Sequence, residues 1–324
     1  MTVYDCNHCG FIYDSFNGDC KNGVPENIEI NILKKSLCNN CGMSKGRQKP
    51  RIVTPYQGKE AELYDQFCGQ ADIHAYITNS DLVKPISLLD IGAGTGRICV
   101  PLAKAGMIVT AIDDSEEMLA KLRRKQEYNN IHFPVIKGNI LDCDLPNEKY
   151  SIILLSDGFL QHVPEYHNKK RLFEKLQKNL APNGRIIVEI FIPSQHQWEQ
   201  TLRKEQMDGI ELYFTSKGTL SLAQKKMMTT LDYEVYKEHI SSYRYRIQRE
   251  LDLILLDDIT FILPDKLKVL LINRFDQTSD WGNFHKDAII PEKPVQKYWT
   301  VGGYPIQNNK SGLVSWWRIE IGFR

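Results

Sequence analysis

Residues Leu88 to Arg97 read LLDIGAGTGR, and no other stretch of the chain limits its fold as tightly. The apolar run from Ile86 to Ile91 has the length and composition of a strand buried on both faces, and Gly92, Gly94 and Gly96 follow it at every second position. A glycine-rich turn leaving a buried strand lets backbone amides approach a ligand that side chains would otherwise block. By itself the D-x-G-x-G-x-G spacing also suits a dinucleotide enzyme, so its surroundings decide.

Those surroundings alternate strand and helix signals for about a hundred residues. The segments are ISLLDI, PLAKAG, MIVTAID, SEEMLAKLRRK, HFPVIKGN, YSIILLS, KKRLFEKLQKNL and RIIVEIF. Such alternation predicts a parallel sheet with helices on both faces, an α/β fold. After Phe191 the pattern changes. MMTTLDYEVY and SSYRYRIQRELDLIL carry period-two stretches that predict antiparallel strands within an insertion at about 210–260. PDKLKVLLINRF reads as a last helix and LVSWWRIEIGF as a closing strand, with Trp316 and Trp317 straddling it and one of them in the core. Upstream, residues 46–57 read as a linker, and apolar positions from Ala61 to Ile73 predict a helix. The expected organisation is a metal-binding domain at 1–50, a linker and helical cap at 51–84, and the α/β domain at 85–324.

The order of the strand-end signals sharpens the reading. Asp113 closes the second strand 23 residues after Asp90, where a carboxylate can accept both hydroxyls of a ribose. The third strand ends in KGNI, the fourth in LLSDG, and NLAPNGR announces the fifth. Across residues 85–195 this set resembles the class I S-adenosylmethionine-dependent methyltransferases, with their Rossmann-like sheet. The resemblance implies S-adenosylmethionine as cofactor. In it Asp90 would orient the methionine amine, Gly92 and Gly94 would lie against the methionyl part, and Asp113 would hold the ribose. Asp114 and Ile140 would flank the adenine, and Asn139, where the family usually has Asp, would bond its amine. Leu155 and Ser156 would lie near the sulfonium. Strand-end acids also cap helices, and Asp114 with Ser115 before EEML has that alternative.

Methyl transfer from a sulfonium asks mainly for alignment and exclusion of water, and a general base helps when the acceptor is a protonated amine or a hydroxyl. His162, in GFLQHVP, is the best-placed base, with packing as its other reading; His167 falls on a solvated helix start. The stretch AELYDQF resembles the entry helix of sugar N-methyltransferases. That likeness implies that Tyr64 caps the cofactor pocket, where an aromatic face attracts a sulfonium. Tyr56, just before that helix, has the same capping reading, with packing the helix down as its alternative. The predicted antiparallel strands resemble the sheet that roofs the pocket in those enzymes, and they bring Tyr233, Tyr243, Arg244, Tyr245 and Arg246, whose neighbours alternate between faces. KLRRK and HNKKR read as solvated helix faces.

The cysteines divide into two kinds. Cys6, Cys9, Cys38 and Cys41 form two C-x-x-C-G pairs with 28 residues between them, while Cys20, Cys68, Cys99 and Cys143 are scattered. Gly10 and Gly42 permit the tight curl that turns both thiolates of a pair toward one ion. Four thiolates suit one zinc or iron ion, which would stabilise a fragment too small for its own core. Tyr4, Cys6, Cys9, Gly10, Tyr13, Asp14, Gly18, Asp19, Gly23, Pro25, Cys38, Cys41, Gly42 and Lys45 resemble rubredoxin. The chain departs from that pattern at Leu37 and Asn39, and its first 50 residues hold six Lys or Arg against five Asp or Glu. Lacking the acidic docking face, the domain reads as structural rather than as an electron carrier.

With 41 basic against 40 acidic residues the chain has no overall pull toward phosphate backbones. No apolar run approaches a bilayer span, and Met1 leads straight into the cysteine motif, so the cytoplasm is the expected compartment. The sequence predicts a methyltransferase acting on a small-molecule nitrogen or oxygen. Its rivals are an RNA methyltransferase gripping substrate through the metal domain, and a redox or scaffold protein that does not catalyse.

Overall fold

In a computed structural model of the chain, the residues described are 3–5, 12–14, 51–52, 54–68, 76, 85–193, 196–205, 210–237, 240–275 and 314–324. They divide into two compact units. The first comprises Met1–Pro55, Glu199–Gly218 and Thr229–Arg249. It contains the hairpin of β1 (Val3–Asp5) and β2 (Ile12–Asp14), with Tyr4 opposite Tyr13. It also contains most of a five-stranded sheet in the order β3-β12-β11-β10-β9, where β3 is Arg51–Ile52, β9 Gln197–Glu205, β10 Ile210–Ser221, β11 Lys226–Lys237 and β12 Ile240–Asp252. The predicted strands at 226–252 are present, but the sheet begins at Gln197 and not near 210. The expected linker also contributes β3, which pairs in parallel with Tyr245 and Arg246. Tyr233 and Tyr245 are both buried, the former against the Phe214 ring, and Arg246 forks onto Asp232 at 2.7 and 2.8 Å.

The second unit comprises Tyr56–Trp198, Thr219–Met228 and Glu250–Arg324. Its sheet has seven strands in the order β13-β14-β8-β7-β4-β5-β6. These are β4 (Ser87–Ile91), β5 (Ile108–Asp113), β6 (Val135–Lys137), β7 (Tyr150–Leu155), β8 (Leu180–Pro193), β13 (Leu267–Phe275) and β14 (Val314–Phe323). Strands β4 to β8 pair in parallel, and β14 is antiparallel to both β8 and β13. Among the described residues, helices with stated bounds are α1 (Gly58–Cys68), α2 (Cys99–Lys104), α3 (Glu116–Asn129), α4 (Phe159–His162), α5 (Tyr166–Asn179) and α6 (Leu256–Ile262).

Within PDKLKVLLINRF, Leu267–Phe275 is a strand and not the expected helix. A bulge between Val269 and Leu271 interrupts its alternation, so its apolar residues mimic a helical stripe, yet every backbone pair from Leu267 to Phe275 lies against β14.

Alternating residues of the central strands supply two cores. Leu89, Ile91, Ile153, Leu155, Ile186 and Val188 pack with Leu172, Phe173 and Leu176 of α5. Leu88, Ile152, Leu154 and Ile187 pack with Leu102 of α2 and Leu119 and Leu122 of α3. Period-two geometry puts Asp90 and Glu189 on this second face. Helix α3 starts as its sequence requires: Ser115 Oγ accepts the Met118 amide at 3.3 Å, Glu116 and Glu117 occupy the positive end of the helix dipole, and Asn130 closes the helix at φ 50°.

Glu189 is fully buried and stands opposite Arg318 in the β8–β14 register. Its Oε1 accepts the Tyr76 hydroxyl at 2.9 Å and Arg318 Nε at 3.0 Å, and its Oε2 accepts the Asp157 amide at 3.2 Å. The Arg318 guanidinium lies 4.3 Å from the Tyr76 ring centroid. Arg318→Met therefore leaves a buried carboxylate without its counter-charge and costs about 3–5 kcal/mol in denaturant unfolding. Adding Glu189→Gln recovers part of that loss, because a neutral amide oxygen still accepts from Tyr76 and Asp157.

Candidate active site at the carboxyl ends of the strands

Strand order reverses between β4, which leads to β5 on one side, and β7 on the other, and open α/β sheets bind ligands at such a switch point. The turn after β4 is stitched to the end of β5: Gly92 and Ala93 donate to the Ile112 carbonyl at 2.9 and 3.0 Å. Gly92, Gly94 and Gly96 adopt φ of 73°, 54° and 77°. A Cβ at Gly92 would lie 2.4 Å from the Phe159 ring, and one at Gly96 would lie 2.8 Å from Val100. At Gly94 the nearest atom, Met118 Cε, would lie 3.6 Å away, an ordinary contact distance, so its positive φ rather than crowding favours glycine there. Its amide donates to Asp113 Oδ2 at 2.8 Å, and Asp113 Oδ1 accepts the Ser115 amide at 2.8 Å. Burial raises the Asp113 carboxyl above its ordinary range, and those two amides oppose the rise.

Asp90 is the unusual group. It is 1% exposed, its Oδ1 has no hydrogen-bond partner among the described residues, and the Cys99 thiol donates to the carboxyl group. Burial pushes its pKa to about 7, with Asp157 and Asp113 adding repulsion and Arg97 opposing it. A desolvated carboxylate oxygen without a donor suits a ligand ammonium, the group that the methionine end of S-adenosylmethionine carries. The cofactor implied by the sequence therefore fits the residues present: Asp90 toward an amine, Gly94 toward close approach of a ligand, and Asp113 toward a diol.

Around β7, Leu155 and Ser156 are buried, and Asp157 takes φ 51° while pairing with Arg97. Gln161 fixes the short helix α4 by donating to the Phe191 carbonyl at 3.0 Å and accepting the Phe191 amide at 2.9 Å. His162, at the end of α4, meets the Tyr56 hydroxyl through Nε2 at 3.1 Å, with ring centroids 5.7 Å apart. Tyr64 lies edge-on to Tyr56 at 6.4 Å. Tyr56 itself is held at both ends, its amide donating to Glu60 Oε2 at 2.5 Å and its carbonyl accepting Ser115 Oγ at 2.7 Å.

The remaining expected residues are dispersed in character. Asp114 and Asn139 are exposed, and Asn139 Oδ1 accepts the Leu141 amide at 2.9 Å. Ile140 is buried in the core beside α5, with its carbonyl accepting Lys175 Nζ at 2.7 Å. His167 is exposed and bonds Glu165 at 3.0 Å. Trp316 is the more buried of the tryptophan pair. Cys6, Cys9, Cys38 and Cys41 lie outside the described residues, as do the side chains of Tyr243 and Arg244. Sequence reasoning passed over Arg97, Asp157 and Glu189, and placed Tyr56 behind Tyr64 as the pocket cap. The GTGR ending and the SDG after β7 were the available signals for the first two.

Residues 88–184, which hold the turn, Asp113 and His162, match the family described as methyltransferase domain. The release factor glutamine methyltransferase of Flavobacterium psychrophilum is 28% identical over 163 residues, covering 43% of this chain and 54% of its own length. The chain spans about half the length of the first curated relatives it matches. Among solved structures, the CcbJ methyltransferase of Streptomyces caelestis aligns at TM-score 0.60 and 17% identity, covering 83% of this chain and 98% of its own. The sugar N-methyltransferase KedS8 of a Streptoalloteichus species aligns at TM-score 0.57 and 14% identity, covering 71% and 92%. These likenesses establish the Rossmann-like methyltransferase fold. No helix among the described residues is long and apolar enough to cross a membrane.

Asp90 gives a pH signature. Its carboxyl ionises near 3.8 in the unfolded chain and near about 7 in the folded one, so in between only the native state holds the proton. Its contribution to stability is present below pH 4 and is lost as pH rises through 7, on the order of 4 kcal/mol. Urea unfolding of the ligand-free protein from pH 4.5 to 8 is expected to show this decline, flattened in Asp90→Asn; Asp113, also raised, adds a slope of the same sign.

Proposed function

We propose that the chain transfers a methyl group from S-adenosylmethionine to a nitrogen or oxygen of a small molecule. The observation that carries the reading is the buried Asp90 carboxylate with a donor-free oxygen, set between the glycine turn and Asp113. When bound, the cofactor supplies an electrophilic methyl on a sulfonium, so the chain has to hold, align and exclude water. Asp90 accepts the amine of the methionine end, Gly92 and Gly94 line that end, and Asp113 accepts the ribose hydroxyls. Asn139, Asp114 and Ile140 serve the adenine. Leu155 and Ser156 bound the reacting centre. The Tyr56 hydroxyl and His162 Nε2 form a hydrogen-bonded pair within which a proton taken from the acceptor can be held, with His162 as base and Tyr64 as the aromatic cap.

Small acceptors are favoured by the near-neutral charge, 41 basic against 40 acidic residues, and by the alignment with a sugar N-methyltransferase over 71% of the chain. The spacing of Cys6, Cys9, Cys38 and Cys41 supports a single tetrathiolate zinc or iron ion with a structural role.

Calorimetry with S-adenosylmethionine is expected to give micromolar binding by the intact chain, abolished in Asp113→Ala; no binding by the wild type overturns the reading. Elemental analysis of protein purified without chelators is expected to return one zinc or iron per chain. Metal-free protein with four reactive thiols overturns the metal site.

A further inference from the structure

Helix α1 is tied to the cofactor turn by three polar groups that the reaction itself does not use. Thr95 is the one residue between Gly94 and Gly96, and it is fully buried. Its hydroxyl donates to Asp65 Oδ1 of α1 at 2.5 Å. Asp65 Oδ2 pairs with Lys125 Nζ of α3 at 2.8 Å, and the same ammonium donates to Thr95 Oγ1 at 3.2 Å. The result is a closed triangle joining α1, the turn and α3. Lys121 adds a bond to the Glu62 carbonyl at 2.8 Å, and the strap before α1 is fixed by Ser115 to Tyr56.

Two glycines at positive φ leave the turn with little conformational preference of its own, and Thr95 is the only side chain between them that can be gripped. The adjacent Gly94 amide is the group that meets Asp113. Anything that moves Thr95 therefore moves the contact between the turn and the carboxylate assigned to the ribose.

We propose that Asp65 is a positioning residue: through Thr95 and Lys125 it couples the seating of α1 to the shape of the glycine turn, so that cofactor affinity depends on this latch. The proposal rests on the reading that the turn receives S-adenosylmethionine. Asp65 touches no cofactor in this scheme. The free energy of docking α1 is linked to that of binding, and each favours the other.

The test is calorimetric titration of the full chain with S-adenosylmethionine. Asp65→Asn and Thr95→Val each raise Kd about five- to tenfold, the scale of one charge-assisted hydrogen bond, and the double variant is no worse than the weaker single one. Arg123→Ala, which breaks only the exposed α3 pair with Glu116, stays within about twofold as the control. Hydrogen exchange gives a readout that general destabilisation does not mimic: amides of residues 58–68 slow on cofactor addition in the wild type, and the slowing disappears in Asp65→Asn. If Thr95→Val does not fold, Lys125→Met carries the same expectation from the helix surface. Variants that bind like the wild type, or whose effects simply multiply in the double variant, overturn the latch alone. A wild type that binds no S-adenosylmethionine overturns both the latch and the methyltransferase reading.

Discussion

A carboxylate enclosed in the sheet at the end of its central strand is the constraint around which the second unit is organised. Strand alternation leaves Asp90 no choice of side: with Leu89 and Ile91 committed to one core, it must face α2 and α3 alongside Leu88. Cys99 at the start of α2 is the neighbour that donates to it, and Arg97 is the nearby cation that opposes its raised pKa. Both residues follow directly from the glycine turn. The sequence DIGAGTGRIC thus folds a buried acid, an open backbone and a compensating charge into one tight loop.

The same face carries a seam of charge along the strand ends. Asp90 on β4, Asp157 after β7 and Glu189 on β8 follow one another across the sheet, and Arg318 on β14 comes next. Asp113 closes the group from β5. Four carboxylates thus stand against the two guanidinium groups of Arg97 and Arg318, and the Arg318 charge is already engaged by Glu189. An excess of negative charge in a desolvated crevice favours a cationic guest over a neutral or anionic one.

The parallel core was legible because its strands are buried on both faces and read as unbroken apolar runs between glycine and proline signals. Asp90 and Asp113 are readable as candidates because they close two successive buried strands on either side of a glycine-rich turn. What escaped was long-range. The Tyr56 ring meets His162 across 106 positions, and Glu189 meets Arg318 across 129, and no local spacing encodes either. The misread strand at Leu267–Phe275 failed for a different reason: its bulge erased the period-two signal, and pairing with β14 decided the outcome. Tyr64 stood out in sequence because it lies on a recognisable helix, while Tyr56, one residue into a strained strap before that helix, carried no periodic signal at all.

Backbone strain separates these positions from ordinary turns. Among the described non-glycine residues, Asn130, Glu165 and Lys225 take positive φ at a helix end, just before a helix and in a tight turn. Tyr56 and Asp157 take it too, at 59° and 51°, and each is pinned by neighbours. Tyr56 is held by Glu60 at its amide and Ser115 at its carbonyl; Asp157 is held by Glu189 at its amide and Arg97 at its side chain. A left-handed conformation costs an aromatic or acidic residue about 1–2 kcal/mol, which surrounding bonds must offset for it to persist. Glycine would relieve that strain at either place, but would remove the phenol that meets His162 or the carboxylate that meets Arg97. At both places the phenol or the carboxylate is kept in a backbone conformation that glycine adopts more freely.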